Sequence, residues 1–371
     1  MSTERKPFKN WFDKKAANLL ASQFASAWSE FDQQKFVRLA TRKLSALEFS
    51  DRVQQFSDAL HAVLPEDTPQ ALDILIHSLP PVLPDCDSTT DGWLQWPLGQ
   101  FIADHGTDHL NESMAAMEEL TQRFSAEFAI RPFVELYPDA VFERLMKLTQ
   151  HPSPHVRRWC SEGVRSRLPW GKRLQFLCEN PTPLWPILDA LRSDEELYVR
   201  RSVANNLNDI AKDHPDLVIK RCRRWAKSND VKMNWVIKHG LRSLIKAGNP
   251  AALAAIGYRE PRNLAVRFSI RPQKISVGDS VQLTAKLVSK HTRRQKLMID
   301  YIVHYVRKNG TTNEKVFKWS TIELAAGAET ATTKQHPMRE TTVRALYPGT
   351  HKVEIQINGH RLGRARFKLL E

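Results

Sequence analysis

Apolar residues recur at helical spacing through the first two-thirds of the chain and at every second position through the last third. The stretches Ala16–Trp28, Lys35–Leu47 and Val53–Val63 carry the 3.6-residue period of amphipathic helices. Prolines 138, 152, 154, 169 and 183 and the triplet Gly248-Asn249-Pro250 punctuate the helical part. Inside it a phrase repeats. HPSPHVRRWCSEGVRSRLPW (His151–Trp170) and SDEELYVRRSVANNLNDIAKDHP (Ser193–Pro215) each set a polar or proline turn before Val-Arg-Arg and an amphipathic helix. Val156 and Val199 lie 43 residues apart, as do Glu162 and Asn205. A period near ~40 residues with two helices per unit predicts a HEAT-type α-solenoid. Such units bury their apolar faces only by stacking, which leaves a long concave surface.

After Pro261 the period falls to two. Val281, Leu283, Ala285 and Leu287 alternate with polar neighbours, as do Val353, Ile355 and Ile357, then Ala365, Phe367 and Leu369. Asn309-Gly310 and Asn358-Gly359 are tight-hairpin signals. Seven or eight short strands in about 110 residues suit an immunoglobulin-like β-sandwich. The expected fold is therefore multidomain α + β, with HEAT-like helical repeats over residues 1–262 and a basic β-sandwich over 263–371. The first 100 residues read as less regular repeats with a scaffold role, closed by a loop at Pro80–Pro84 and a polar run at Asp85–Gly92.

Charge sharpens this picture because it is unevenly spread. The net charge is +14, yet residues 1–149 hold 14 Lys and Arg against 22 Asp and Glu. Residues 150–250 hold 19 against 10, and residues 263–371 hold 20 against 8. Basic residues confined to two adjacent regions are the footprint of a nucleic-acid binder. A solubility role would not explain an acidic first third. The four cysteines, Cys86, Cys160, Cys178 and Cys222, show no CxxC spacing and read as buried reduced thiols of a cytosolic protein. No run approaches the ~18 apolar residues of a membrane span, and the charged N-terminus MSTERKPFKNWFDKK is unlike a signal peptide.

The middle helices carry the candidate chemistry. In Thr121–Tyr137 a single helix would align Arg123, Glu127 and Arg131 at i, i+4 and i+8. Arg158 and Glu162 repeat that spacing beside Trp159, and Arg201, Asn205 and Asp209 repeat it again. Three successive units thus predict a ridge of arginines and acids, with Glu127, Glu162 and Asp209 clustered where neighbouring helices meet. Read singly, each pair is an ordinary ion pair worth a few tenths of a kcal/mol. His105 and His109 have HxxxH spacing, but Gly106-Thr107 predicts a loop and no third ligand is evident, so no metal and no cofactor are expected. Phosphate-cradling glycine loops, GxSxG and Cys-His-Asn signatures are absent from the sequence. Trp225 and Trp235 read as core residues of apolar helices.

Three phrases, SAEFAIRPF (Ser125–Phe133), WCSEGVRSRLPW (Trp159–Trp170) and YVRRSVANNLNDIAKDHPD (Tyr198–Asp216), resemble those of bacterial AlkC-type alkylpurine DNA glycosylases, relatives of the AlkD type. The likeness spans the helical part, is strongest over Thr121–Arg242, and extends to the immunoglobulin-like domain that some members carry. One departure is Arg165-Ser166, where the family phrase has arginine-proline. The resemblance implies hydrolysis of the N-glycosidic bond of cationic methylated bases (3-methyladenine, 3-methylcytosine, 1-methyladenine) in duplex DNA. It implies a monofunctional enzyme, active as a monomer in the bacterial cytoplasm at the nucleoid. It places Glu127, Glu162 and Asp209 at the acidic active-site positions, any one of which could be the essential carboxylate. Arg158 matches a phosphate-contacting arginine and Trp170 an aromatic packing on the lesion nucleotide. Trp159, Arg165, Arg201 and Asn205 complete the expected DNA-contacting set on the helices. Arg293, Arg294 and Lys296, in a loop between two predicted strands, are the expected phosphate contacts of the sandwich. The rival readings are a HEAT-repeat scaffold that binds nucleic acid without chemistry, and a protein-interaction scaffold, which the basic second half disfavours. Acids in the groove separate the first from an enzyme, because each repels the phosphate backbone.

Overall fold

The structure, a computed structural model, describes residues 7–84, 86, 91–340 and 345–370. Most of the polar run at 85–92 lies outside them. The chain divides into two compact units, Met1–Asp213 and His214–Glu371.

The first unit holds twelve α-helices among the described residues: α1 (Lys14–Ala27), α2 (Gln33–Ala40), α3 (Phe49–His61), α4 (Thr68–Ser78), α5 (Trp96–His105), α6 (Leu110–Thr121), α7 (Arg131–Leu136), α8 (Pro138–Leu148), α9 (Pro154–Glu162), α10 (Gln175–Glu179), α11 (Trp185–Leu191) and α12 (Leu197–Ile210). Local chemistry sets their starts. Asp13, Asp32 and Asp67 accept backbone N–H bonds as N-caps of α1, α2 and α4. Proline opens α8 and α9, where its missing N–H costs nothing. α1 packs on α2, α2 on α3, α3 on α5 and α4 on α6; α9 packs on α12 with α8 and α11 beside it. Val156 and Val199, the repeat-equivalent valines, are both fully buried, one on each of the packed helices α9 and α12.

The expected single helix over Thr121–Tyr137 does not form. Residues 122–130 are a compact turn between α6 and α7. The Gln122 carbonyl accepts from the Leu83 N–H instead of continuing the helix, and Pro132 has no N–H to give four residues back. A Cβ on Gly92 would lie 1.7 Å from the Arg123 carbonyl oxygen, so only glycine fits where these segments touch.

The second unit opens with α13 (Pro215–Trp225), α14 (Val231–Gly240), α15 (Arg242–Lys246) and α16 (Pro250–Ala255). Eight strands complete it: β1 (Leu264–Arg271), β2 (Lys274–Ile275), β3 (Ser280–Ser289), β4 (Gln295–Val306), β5 (Thr312–Leu324), β6 (Glu329–Pro337), β7 (Gly349–Ile357) and β8 (His360–Leu369). They form a three-stranded sheet, β1-β3-β6, and a five-stranded sheet, β2-β8-β7-β4-β5. Pairing is antiparallel except for the short β2–β8 ladder. The alternating residues Val281, Leu283, Ala285 and Leu287 meet Ile299, Tyr301, Val353 and Ile355 in one core, which makes the unit a sandwich. Asn358 and Gly359 both take positive φ (48° and 85°), as a two-residue β7–β8 hairpin turn requires.

The helices α13–α16 belong with the sandwich. The outer face of the larger sheet is closed as well, with Met298, Ile302, Gln356 and Asn358 buried. The loop between α15 and α16 lies against it: a Cβ on Gly248 would meet the Gln356 side chain at 2.4 Å, and one on Gly359 would meet the Gly248 carbonyl at 2.2 Å. Asn358 Nδ2 donates to the Arg259 and Lys296 carbonyls at 2.6 and 2.8 Å. The change of hydrophobic period near residue 262 separates helix from strand, whereas the packing groups residues 214–262 with the strands. Among the described residues no helix is long and apolar enough to cross a membrane.

Candidate functional site

Glu127, Glu162 and Asp209 come together, but by a different route from three aligned helices. Glu127 sits in the 122–130 turn, Glu162 ends α9, and Asp209 lies in the last turn of α12. Two arginines link them. Arg158 pairs with Glu127 Oε2 and reaches Glu162 Oε1 at 3.6 Å. Arg165, just past the end of α9, donates from Nη1 to Glu162 Oε1 at 2.6 Å and from Nε to Asp209 Oδ2 at 2.8 Å. Lys212 closes the row on Asp209 Oδ1 at 3.0 Å. The sequence of charges is therefore acid, base, acid, base, acid, base, and its centre is buried: Glu162 is 5% and Asp209 2% exposed.

Burial raises a carboxyl group's pKa, yet the Arg158 and Arg165 guanidiniums hold Glu162 below its ordinary value. Burial opposes the charge of Arg158 and Arg165 in the same way, and the facing acids override it and push both upward. Arg158, Glu162 and Arg165 thus carry their charges at neutral pH. Two neutral groups tune Arg158. Ser125 Oγ accepts from Arg158 Nη1 at 2.9 Å and donates to Glu127 Oε2 at 2.8 Å, and the Tyr198 ring lies 5.4 Å from the guanidinium carbon. Both protein contacts of Glu127 fall on Oε2, so Oε1 has no hydrogen-bond partner among the described residues. Asp209, by contrast, has both oxygens engaged.

The other expected contacts divide. Trp170 is 80% exposed and held in the left-handed region at φ 65°. It borders a cleft of about 730 Å³ whose walls include Phe49, Trp96, Phe128 and Arg131. Trp96 and Phe128 stack there with ring centroids 5.3 Å apart. Arg201 is exposed on α12 and Asn205 half-buried. Trp159 corrects an expectation. Its indole is fully buried in the core, because on a nine-residue helix the face next to Val156 and Cys160 is packed, so it has no access to DNA. Arg165 is also buried, its guanidinium spent on Glu162 and Asp209 rather than open to a phosphate. Trp225 is core as expected, while Trp235 is half-buried and stacks on His239 at 3.9 Å. Burial pushes the thiols of Cys160 and Cys222 upward, the latter to about 12, which suits packing and not nucleophilic work.

In the second unit Arg293 and Arg294 lie in the β3–β4 loop, whereas Lys296 is on β4 itself. With Arg259, Arg262 and His291 they line a hollow of about 540 Å³. Arg294 and Lys296 share Glu323, at 2.9 and 3.7 Å. A group with metal-ligand chemistry, His304, Glu314 and Glu354, stands on the larger sheet. Arg361 already pairs with both carboxylates, Lys352 with Glu354, and His304 turns a different nitrogen to each acid, so the group reads as an ion network.

Comparison with known proteins places this geometry. Over 99% of its length the chain superposes on the whole of Pseudomonas fluorescens alkylpurine DNA glycosylase AlkC, solved bound to DNA containing an abasic site analog, with 36% identity and a TM-score of 0.84. The chain belongs to the AlkC-type family. It is also 33% identical over 353 residues to the protein YhaZ of Bacillus subtilis strain 168, covering 95% of this chain and 96% of that one. Residues 265–371 match the family model described as the C-terminal Ig-like domain of YhaZ. For an AlkC-type chain, the sequence pattern points to the three acids and Arg158. It misses Ser125, Tyr198 and Lys212, which touch the network from outside the i, i+4 pattern, and the aromatic cleft, whose walls come from four distant segments.

Proposed function

We propose that this chain hydrolyses the N-glycosidic bond of cationic N-methylated bases in duplex DNA, with 3-methyladenine, 3-methylcytosine and 1-methyladenine as its substrates. The observation that carries the reading is the buried row in which Glu127, Glu162 and Asp209 alternate with Arg158 and Arg165. A cationic base leaves readily, because the electron pair of the breaking bond neutralises it. The deoxyribose then gains oxocarbenium character, and fixed carboxylates stabilise that charge as it develops. Water adds at C1′ and must lose a proton. Glu127 suits that task, since Oε1 is unengaged while Oε2 is anchored by Arg158 and Ser125. Glu162, whose Oε1 takes both arginines, and Asp209, engaged on both oxygens, hold the field and the arginines in place.

A scaffold that only grips phosphates gains nothing from gathering three acids, two of them buried, into one row. The basic hollow at Arg293, Arg294 and Lys296, and the cations of α13–α15, suit the DNA backbone. The protein acts as a monomer at the bacterial nucleoid, with no cofactor required by this chemistry. The lysine of the row, Lys212, is held on Asp209 Oδ1 at 3.0 Å, and the proposed route takes water, not this amine, as the nucleophile. Borohydride added during turnover is expected to trap no enzyme–DNA adduct while free methylated base accumulates. A trapped adduct would contradict the hydrolytic route.

A further inference from the structure

Trp170 poses a mechanical question. It is a large apolar side chain, 80% exposed, in a left-handed backbone conformation that a bulky residue adopts only when its surroundings impose it. It stands on a loop without regular structure, residues 163–174, which also carries Arg165 into the carboxylate row. Something must fix that loop.

Arg131, at the start of α7, is the group in position to do so. Its side chain is only 2% exposed, yet among the described residues no carboxylate forms an ion pair with it. Nε donates to the Lys172 carbonyl at 2.5 Å and Nη1 to the Gly163 carbonyl at 3.1 Å. Nη2 has no partner among the described residues. Burying an arginine with no carboxylate in ion-pair contact is costly, and burial lowers its pKa to about 10 against the opposing charge of Glu135. Two short backbone contacts at the two ends of one loop are what that cost supports. Glycines permit the approach: a Cβ on Gly163 would meet Ile130 at 2.8 Å, and one on Gly171 would meet the Arg131 Cδ at 3.3 Å. One helical turn on, Glu135 holds the Lys172 side chain at 2.6 Å, so α7 grips the same residue by backbone and by side chain.

We propose that Arg131 is a positioning residue for the excision reaction: a buried guanidinium that clamps the carbonyls of Gly163 and Lys172 and thereby presents Arg165 to the acids and Trp170 to the DNA. The fork geometry matters, since a lysine ammonium cannot span two carbonyls with fixed, coplanar donors. The effect on excision rests on the proposed glycosylase reading; the clamp itself does not.

The test uses the full-length protein labelled with 5-fluorotryptophan, with the Trp170 fluorine signal assigned by its loss in Trp170→Phe. In Arg131→Lys that signal is expected to shift or broaden without DNA present, while the signal of Trp319, in the sandwich core, stays. Amide exchange of residues 163–174 should quicken at least tenfold, and kcat for a methylated duplex should fall at least tenfold. In a Trp170→Phe background the same substitution should cost less than it does in the wild type. Should Arg131→Lys fail to fold, Gly171→Ala crowds the clamp from the loop side and is expected to move the same signal in the same direction. An unmoved Trp170 signal with unchanged exchange in either folded variant overturns the clamp. A moved signal with unaltered kcat overturns its part in the reaction. Absence of excision by the wild type would sink the glycosylase reading, and the signal and exchange measurements would still decide for or against the clamp.

Discussion

Replacing Glu127 by Gln is expected to lower excision of a cationic methylated base by about 10²–10³-fold, the usual loss when one preorganised electrostatic group is removed. Some stability is lost too, since Glu127 is the leading charge partner of Arg158, but Glu162 and Ser125 still hold that one guanidinium. Glu162→Gln behaves differently. Excision falls comparably, but the protein also loses on the order of 3 kcal/mol, since two buried guanidiniums are left undercompensated. DNA affinity stays equal or improves in both variants, as an acid near the backbone opposes binding and acts in the transition state. The pH dependence comes from the sign of the shift. Glu162 is held below its ordinary 4.5, so its contribution is complete above that value and is lost as pH falls through the lower folded value. The gap in Tm between wild type and Glu162→Gln should therefore be constant from pH 8 to about 5 and narrow below it. Loss of DNA binding in parallel with activity would move these acids to a purely structural role.

The second large effect concerns the basic hollow of the sandwich unit. Reversing Arg293, Arg294 and Lys296 to Glu is expected to weaken binding of undamaged duplex by about 10–100-fold near ~0.1 M salt. The slope of log K against log salt should shrink by about 2–3, roughly one per lost phosphate contact. Excision at saturating DNA should change little. A truncation at Pro261 would be a poorer experiment, because it strips α13–α16 from the sheet they are packed with. An unchanged salt slope in the triple variant would mean that this hollow faces another partner.

Much of the architecture was legible in the sequence because hydrophobic period reports directly on burial. The spacing of Val281, Leu283, Ala285 and Leu287 is the sandwich core, and Val156 and Val199 mark equivalent buried points of two repeats. The acids were legible too, since the repeat brings Glu162 and the end of α12 onto adjoining helices. What the period cannot report is where a helix stops for tertiary reasons. Gln122 gives its carbonyl to Leu83, a distant partner in the chain, and the Arg123–Glu127–Arg131 face dissolves into a turn. The 43-residue offset superposes Asn205 on Glu162, and Asp209, one turn further along the same face, is the acid that Arg165 meets. Trp159 shows the same limit. Next to Arg158 in sequence it looked like part of the site, but adjacent residues on a helix face different ways, and its indole went to the core.

Whether these acids break a glycosidic bond is measured most directly by single-turnover incubation with a duplex holding one 3-methyladenine, followed by alkaline cleavage at any abasic site. Scission is expected at the lesion position alone, dependent on alkali, absent from the unmethylated duplex and nearly abolished by Glu127→Gln. Tight binding of the duplex with no abasic site formed would contradict the glycosylase mechanism and make the chain a scaffold.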